Sequence, residues 1–340
     1  MITTPSSPTP SKRWHPLRPQ HAGHWLNLLA VAVAISWLLG ALLGRFYFFE
    51  LFTHFQLQYY VLSVLLVVAG LVSRLVWGKR GRAPLTIAPM LIIGLGTFSS
   101  DTNWLPHNDP SADSALVRDV RVVQANVLYS RSDYAPTLNL VRSQRPDLYV
   151  LQEMTPASIR LVTRQLGNEF PYWFACWSKG PCWVLVGSRT PISIDKPLAE
   201  TKRIIALTTQ VRGRAIGLVT VHPRTPVFPS WFRERNDQLA YAAQKTRTQP
   251  LPTVLLGDFN ISIFSPVYKA IFRSVPAGAG TLSAARRSLL QPTWPRFIPP
   301  MMIPIDHIFT NQGFRPFHFQ TLDHPGSDHR AIVADLSFSR

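Results

Sequence analysis

Cysteine is nearly absent from this sequence of 340 residues, in which Cys176 and Cys182 are the only two. A chain with two cysteines cannot be a disulfide-dense scaffold, and it cannot build a zinc or iron–sulfur site from several thiolates. The residues between them include Gly180 and Pro181, so one short disulfide in an oxidising compartment is compatible with the spacing. Two separate buried thiols fit the sequence equally well.

Acidic residues are scarce as well. The chain has 18 Asp and Glu against 35 Lys and Arg, a formal net charge of +17, which excludes an acidic disordered protein. Residues 1–114 hold eight of the basic and four of the acidic side chains, so residues 115–340 keep 27 and 14 and a charge of +13. This excess predicts a polyanionic partner: nucleic acid, an anionic lipid surface or a phosphorylated small molecule.

Charged side chains are missing from three stretches near the N-terminus. They are Trp25–Gly44 with 20 residues, Leu51–Ser73 with 23 and Ala83–Ser100 with 18. Because a spanning helix needs roughly 20 apolar residues, we predict a membrane region over residues 25–100 with spans at about 25–44, 51–73 and 83–100. Pro84 and Pro89 weaken the third span. The alternatives are a buried hairpin of soluble helices and a cleaved signal peptide, for which no A-x-A site directly follows the first apolar run.

The flanking Lys and Arg residues predict an orientation in the membrane. The Pro- and Ser-rich tail 1–24, which we expect to be flexible, holds three of them, the first connection one and the second connection four. By the positive-inside rule the tail and the second connection are cytoplasmic. After a third crossing, the linker 101–114 and the rest of the chain lie outside the cytoplasm, in the periplasm of a bacterium. A re-entrant third segment would reverse this assignment.

From about residue 115 short apolar runs alternate with segments of helical period, the pattern of an α/β or α+β sandwich. The predicted strands are Val120–Leu128, Leu148–Leu151, Trp183–Gly187, Ala215–Val221, Thr253–Leu256, Ile305–Phe309 and Ala331–Phe338. The predicted helices are Tyr134–Gln144, Ser158–Leu166 and Arg233–Arg247. Residues 115–340 are therefore expected to form one large domain.

Polar residues stand at or just beyond the C-terminal ends of these strands, where catalytic groups collect on sheet scaffolds. They are Asn126, Glu153, His222, Asp258, Asn260, Asp306, Asp328 and His329. Taken together, these motifs resemble the endonuclease/exonuclease/phosphatase superfamily of deoxyribonuclease I-like phosphohydrolases over roughly residues 115–340. Gly-Asp-Phe-Asn at 257–260 and Ser-Asp-His at 327–329 are the most diagnostic motifs. The resemblance implies an α+β fold, an α/β sandwich of two packed mixed β-sheets flanked by helices. This domain follows the predicted transmembrane region along the chain.

The resemblance also implies a divalent cation, Mg²⁺ in the first place and alternatively Mn²⁺ or Ca²⁺. Attack on an anionic phosphorus requires that developing oxygen charge be neutralised and one water oriented in line. Carboxylate and amide oxygens suit a hard cation of this kind. The matching positions suggest Glu153 as the main metal ligand, with Asn126 beside it and Asp328 contributing directly or through water.

The remaining positions carry over to proton transfer and phosphate binding. Asp258 would accept a proton from the attacking water, and Asn260 would orient that water or bind an equatorial oxygen. His329 would contact the phosphate, with Asp306 fixing its tautomer. Sequence alone leaves open whether Asp258 or the Asp306–His329 pair is the base. His222 resembles a second histidine that binds a phosphate oxygen or assists the leaving group. Asn126, Asn260 and both histidines are thus the expected phosphate-binding groups.

Three functional hypotheses follow. The first is a membrane-anchored phosphodiesterase or phosphatase whose partners are the bilayer and a phosphate ester, which is a lipid head group, a nucleic acid or a small phosphorylated molecule. The second is an extracytoplasmic nuclease, and the third a membrane-bound binding module without turnover. No obligate protein partner is implied. Arg233, Arg235 and Asn236 at the start of a helix are interpreted as solvated surface, with phosphate contacts as the alternative.

Overall fold

The computed structural model describes residues 19–78, 84–99, 116–274, 280–286, 288 and 291–339. Residues 1–18 of the predicted tail and the predicted linker 101–114 lie outside the described residues. The chain divides into two compact units. One comprises residues 1–38 and 59–100, and the other comprises residues 39–58 and 101–340. The second unit therefore combines the large domain with a short segment from within the predicted membrane region.

The N-terminal region is helical. Its helices are α1 (Pro19–Leu43), the single turn α2 (Tyr47–Glu50), α3 (Gln56–Trp77) and α4 (Pro84–Ser99), with a 3₁₀ turn at Leu51–Thr53. Two helical stretches are long and apolar enough to cross a membrane, Gly23–Leu43 with a mean hydropathy of 2.3 and Gln56–Val76 with 2.0. The third predicted span coincides with α4, which has only 16 residues and contains Pro89. The assignment of these two stretches as candidate membrane spans rests on their length and composition alone.

The large domain is built on two six-stranded mixed sheets. Its strands are β1 (Val120–Asn126), β2 (Leu148–Met154), β3 (Tyr172–Lys179), β4 (Cys182–Ser188), β5 (Ser193–Ile194), β6 (Ile204–Val211), β7 (Arg214–Val221), β8 (Thr253–Asp258), β9 (Ser283–Ala284), β10 (Asp306–Thr310), β11 (Phe314–Leu322) and β12 (Ala331–Phe338). The first sheet has the order β11-β12-β1-β2-β4-β3 and the second β5-β6-β7-β8-β10-β9. One central pair in each sheet is parallel, β1 with β2 and β7 with β8.

Helices cover the outer faces of both sheets. They are α5 (Ala135–Gln144), α6 (Pro156–Leu166), α7 (Lys196–Lys202), α8 (Pro229–Arg247) and the turn α9 (Pro266–Tyr268), which continues as a π-helical turn at Lys269–Arg273. Between the sheets, inward-facing side chains such as Val122, Val150 and Leu256 form one core. Two further cores lie under α5 and α6 and under α7 and α8. The predicted sandwich of two mixed sheets flanked by helices is confirmed.

The two cysteines lie on the β3–β4 hairpin, and both are free thiols. Cys176 donates to the carbonyl oxygen of Ala199 at 3.1 Å. Burial raises the pKa of Cys176 to about 11 and that of Cys182 to about 12, so both are protonated near neutral pH. Of the two interpretations that the spacing allowed, separate thiols are the one found.

Candidate active site

The candidate site lies where the central strands of the two sheets end. Register brings its residues together: Asn126 at the end of β1 faces Gln152 on β2, and Asp306 at the start of β10 lies opposite Asp258 at the end of β8. Because antiparallel partners directly opposite one another have Cβ atoms roughly 5 Å apart, this register alone places two carboxylates side by side. The eight predicted residues converge here from both sheets.

The Asp258 carboxylate is the centre of the cluster. Its Oδ2 accepts a hydrogen bond from Asn126 Nδ2 at 3.1 Å and lies 3.4 Å from His222 Nε2 and 3.8 Å from His329 Nε2. Its Oδ1 accepts from the backbone amide of Asn260 at 2.9 Å. Burial opposes ionisation, but the neighbouring His329 and His222 hold the pKa of Asp258 well below its usual value. Asp258 is therefore an ionised, almost fully buried carboxylate.

His329 is held between two carboxylates. Its Nδ1 donates to Asp306 Oδ2 at 2.9 Å, and the Asp306 side chain is fully buried. Burial alone would lower the pKa of His329, yet Asp306 and Asp258 raise it to about 9. His329 is accordingly an imidazolium at neutral pH, which favours contact with an anionic phosphate over acceptance of a proton.

His222 lies on the other side of Asp258, at the end of β7. It is 1% exposed, and neither ring nitrogen has a hydrogen-bond partner within the part of the chain that the structure describes. Burial is the main cause of its lowered pKa, and the charge of Lys179 adds to it. Its Nε2 lies 3.9 Å from Glu153 Oε1. His222 is therefore a neutral imidazole between the carboxylates of Asp258 and Glu153.

Two of the predicted residues have left-handed backbone conformations. Glu153 has φ of 60° and Asn260 has φ of 52°. This region is unfavourable for non-glycine residues, Glu in particular, and such strain often marks functional sites. Gly257, beside Asp258, has φ of 154°, and a Cβ there would lie 2.3 Å from the carbonyl oxygen of Val221. Unusual backbone conformations at Glu153, Gly257 and Asn260 thus help to set the positions of the side chains in the site.

Two groups of side chains are candidates for holding a metal ion. Glu153 and Asp328 are only partly buried; Glu153 Oε2 accepts from the Tyr129 amide at 3.3 Å, and Asp328 Oδ2 accepts from Trp294 Nε1 at 3.0 Å. The second group is Asp258, Asp306 and His329, whose ligand atoms lie within 4.8 Å of one another. Since His329 Nδ1 and Asp306 already bond each other, the Glu153 carboxylate fits a hydrated hard cation better.

Sequence reasoning missed two glutamines that lie between the sheets. Gln152 Oε1 accepts from the Asp258 amide at 2.7 Å and from Gln124 Nε2 at 2.8 Å, while Gln152 Nε2 donates to the Val221 carbonyl at 3.1 Å. Gln124 Nε2 also donates to Asp306 Oδ1 at 2.9 Å. Both glutamines are fully buried. Their position within otherwise apolar strands was the signal, because amides are seldom buried there without a partner.

Other contributors were also missed. Ser327 Oγ donates to the Asn126 carbonyl at 2.7 Å and accepts from the His329 amide at 3.0 Å, which ties the Ser-Asp-His segment to β1. Lys179 Nζ lies 4.0 Å from Glu153 Oε1. The surface interpretation of Arg235 was wrong: its guanidinium is fully buried and donates to the Asn260 carbonyl at 2.9 Å. The prediction failed because an arginine near the start of an amphipathic helix was expected to face water.

A cavity of about 550 Å³ opens onto the site. Its polar lining comes from Glu153, Asp258, Asn260, Asp328 and His329. Asn126, His222 and Asp306 contact these residues while themselves being at most 1% exposed. The geometry thus separates groups that can meet a ligand directly from groups that orient them.

Two mixed sheets with carboxylates, amides and histidines at one edge are the architecture of deoxyribonuclease I-like hydrolases. The sequence matches the Endonuclease/Exonuclease/phosphatase family over residues 123–329, and the chain belongs to that family. Family membership indicates phosphoester hydrolysis as the general activity. No curated protein matches the chain.

Solved structures of similar fold cover the large domain. A humanised TDP2 of D. rerio with 14 mutations has a TM-score of 0.52 at 18% identity, over 64% of this chain and 98% of that chain. D. rerio TDP2 in complex with a single-strand DNA product has a TM-score of 0.51 at 19% identity, over 64% and 98%. A mannosyl-6-phosphatase of Bacteroides thetaiotaomicron has a TM-score of 0.51 at 17% identity, over 64% and 100%. At these identities the likeness concerns the fold.

Proposed function

We propose that the protein is a membrane-anchored, divalent-metal-dependent phosphohydrolase that cleaves a phosphate ester by in-line attack of water. The observation that carries the proposal is the group of Asp258, His329 and Asp306, in which an ionised carboxylate lies 3.8 Å from an imidazolium that a second carboxylate orients. A negative group that can accept a proton and a positive group that can bind phosphate are both needed for this reaction.

The proposed metal ligands are Glu153 and Asp328, with the Asn126 amide next to them. A Mg²⁺ held there would neutralise charge on the phosphate oxygens and help to orient the water. Glu153 has one carboxylate oxygen without a hydrogen bond shorter than 3.5 Å among the described residues, with His222 and Lys179 at 3.9 and 4.0 Å. This open oxygen in a strained, partly exposed residue supports the assignment.

The protein's own side chains divide the remaining work. Asp258 accepts the proton of the attacking water, since it is ionised and lines the cavity. Asn260 orients that water from two residues along the loop, and its own Nδ2 is steadied by a hydrogen bond to the Pro223 carbonyl at 3.1 Å. His329 binds a phosphate oxygen, and His222 assists from the opposite side of Asp258.

The test uses the full chain in detergent, with plasmid DNA, RNA, sphingomyelin, inositol phosphates and a generic aryl phosphodiester as substrates. We expect Mg²⁺-dependent hydrolysis of at least one of them. Glu153→Gln should lower kcat/KM at least 100-fold, whereas Glu169→Gln, which changes an exposed carboxylate paired with Arg142, should leave it within twofold. Activity that survives both Glu153→Gln and EDTA would show that no metal at Glu153 is involved. Phosphate-ester binding without turnover under any divalent metal would favour the binding module.

A nuclease is the second candidate, and the charge of +13 on residues 115–340 favours it. TDP2 of D. rerio has been solved with a single-strand DNA product, which shows that the fold accommodates nucleic acid. Preference for plasmid DNA or RNA within the same panel, with a steep loss of affinity as salt rises, would identify this activity. Preference for a lipid or sugar phosphate would reject it.

A further inference from the structure

The segment between the two long apolar helices is part of the large unit. We call residues 44–55 the connector. Its Glu50 carboxylate is almost fully buried, bonds Arg235 Nη2 at 2.8 and 2.9 Å and accepts from Ser265 Oγ at 2.7 Å. The same Arg235 donates to the carbonyl oxygen of Asn260 in the candidate site. One guanidinium therefore joins the connector to a residue of the proposed catalytic machinery.

Further contacts fix both ends of the connector. Tyr47 donates its hydroxyl hydrogen to the Val227 carbonyl, and the buried His54 bonds Ser262 Oγ through Nδ1 at 2.9 Å. Just beyond it, Gln58 donates to the Met302 carbonyl at 3.0 Å. The first two bonds join the connector to two loops near the site, and the third joins the start of α3 to another. Without the connector, these buried polar groups would lose their partners, which costs free energy. The connector is therefore an integral element of this unit.

The connector contributes apolar side chains to the lining of the active-site cavity. Phe48, Leu51 and Phe55 line it from this segment, and Val227 and Ile303 line it from the large domain. Polar groups of the same lining come from Glu153, Asp258, Asp328 and His329, and from Glu50 and His54 of the connector. Phe48 and Leu51 remain more than half exposed, at 58% and 53%. A phosphate group satisfies only the polar groups of this lining, and the apolar side chains favour a hydrocarbon.

We propose that the connector is a substrate-binding element and that the cavity takes a phosphate ester carrying an alkyl or acyl chain, drawn from the bilayer. This inference rests on the proposed function for the phosphate end and adds the substrate class. The phosphate lies against the catalytic groups and the first carbons of the chain lie against Phe48 and Leu51.

Chain continuity argues for the bilayer as the source. The connector continues at one end into Gly23–Leu43 and at the other into Gln56–Val76, the two stretches long and apolar enough to cross a membrane. Every connector residue is within a few residues of one of these stretches along the chain. Because consecutive Cα atoms are about 3.8 Å apart, each connector residue therefore lies close to the end of a stretch. Aromatic residues are common at that depth, and Phe46 and Phe48 are both exposed. A lipid can therefore enter beside the connector without leaving the interface.

Binding of two phosphonates tests the inference independently of turnover. Full-length protein in detergent should bind hexylphosphonate at least tenfold more tightly than methylphosphonate, as measured by calorimetry. Phe48→Ser and Leu51→Ser should bring this Kd ratio toward one. Phe46→Ser is the matched control, because Phe46 is 62% exposed on the same segment but does not line the cavity, and it should keep the ratio. Equal Kd values for the two phosphonates in the unmodified protein, or a ratio unaffected by both cavity variants, would overturn the inference.

Hydrolysis separates this inference from the proposed function. The protein is reconstituted in phosphatidylcholine vesicles that contain phosphatidic acid or phosphatidylglycerol, and release of phosphate or glycerol phosphate is compared with turnover of soluble glycerol 3-phosphate and glycerophosphoglycerol. We expect the chain-bearing ester to be preferred at least tenfold. A preference for the soluble esters would contradict the bilayer source. Absence of turnover on every substrate would count against the proposed function, while the Kd ratio would still decide the substrate class.

Discussion

At the scale of single residues, the charge of His329 depends on Asp306. Folding raises the pKa of His329 from about 6.5 to about 9; burial opposes the change, and Asp306 contributes most among the three carboxylates, with Asp258 and Asp328, that cause it. The imidazolium therefore stabilises the fold fully below about pH 6.5, and this contribution is lost as pH rises through about 9. Under the proposed mechanism the charged form is also the active one.

The pH profile of activity follows from this assignment. With His329 as a phosphate-binding cation, kcat/KM should fall on the alkaline side near pH 9, and Asp306→Asn should move that fall to lower pH because the raising charge is removed. Asp237→Asn, on the exposed face of α8, should leave the profile in place. A rate that rises through pH 9 would instead identify the Asp306–His329 pair as the base.

Gln152 should contribute to stability through the buried hydrogen bonds that its side chain makes. Gln152→Leu removes the partners of the Asp258 amide and the Val221 carbonyl, both buried. Since an unsatisfied buried polar group costs about 1–3 kcal/mol, we expect the free energy of unfolding to fall by about 3 kcal/mol, with kcat reduced as Asp258 shifts. Gln210→Leu on the exposed side of β6 should change stability by less than about 0.5 kcal/mol. Denaturant unfolding followed by tryptophan fluorescence measures both.

At the scale of elements, the sequence predicted the strands with strong periodicity and missed the strands at the sheet edges and β6, which lies between β5 and β7. The β1, β7, β8 and β12 runs are rich in Val, Ile and Leu and were located within two residues at each end. The missed β3 carries aromatic, half-exposed side chains, and β11 contains Pro316 and alternating polar residues, so neither has the signature of a buried strand.

The eight predicted residues converge because strand ends are readable from local pattern, whereas the glutamine pair and Arg235 depend on pairing between distant elements. Gln124 bonds Asp306 and Gln152 bonds the Asp258 amide, both on the other sheet, and Arg235 bonds a carboxylate 185 residues away. No local pattern contains such a partner. The connector was likewise assigned to the membrane region because hydropathy does not register the packing of a short segment against a remote domain.

The Glu50–Arg235 pair should contribute strongly to this packing. Glu50→Gln leaves a buried guanidinium without a counter-charge, and removal of one partner of such a pair costs about 3–5 kcal/mol. Combining Glu50→Met with Arg235→Met should be less damaging than the sum of the two single changes. The exposed pair Arg142–Glu169 is the control, with an expected coupling below about 1 kcal/mol. Additive effects at Glu50 and Arg235 in this double-mutant cycle would contradict a docked connector.

At the scale of the whole molecule, the basic excess has different roles in its two parts. Near the N-terminus, few Lys and Arg residues flank the apolar stretches and predict orientation. In residues 115–340 the excess of 13 accompanies a candidate site rich in carboxylates, and a net positive domain favours approach of an anionic substrate. The connector and the large domain belong to one unit, so they must lie on the same side of any membrane.

Under the prediction that α1 and α3 both cross a membrane, that requirement implies a third crossing. With α1 and α3 spanning, the connector and the large domain share a side only when the chain crosses once more through α4. Single cysteines at Arg45, Arg80 and Val117, in a chain with Cys176→Ser and Cys182→Ser, should be tested with a membrane-impermeant maleimide on intact cells. We expect labelling at positions 45 and 117 and none at 80 until the cells are opened. Opposite sidedness of positions 45 and 117 would exclude the docked connector, and labelling of position 80 alone would reverse the orientation.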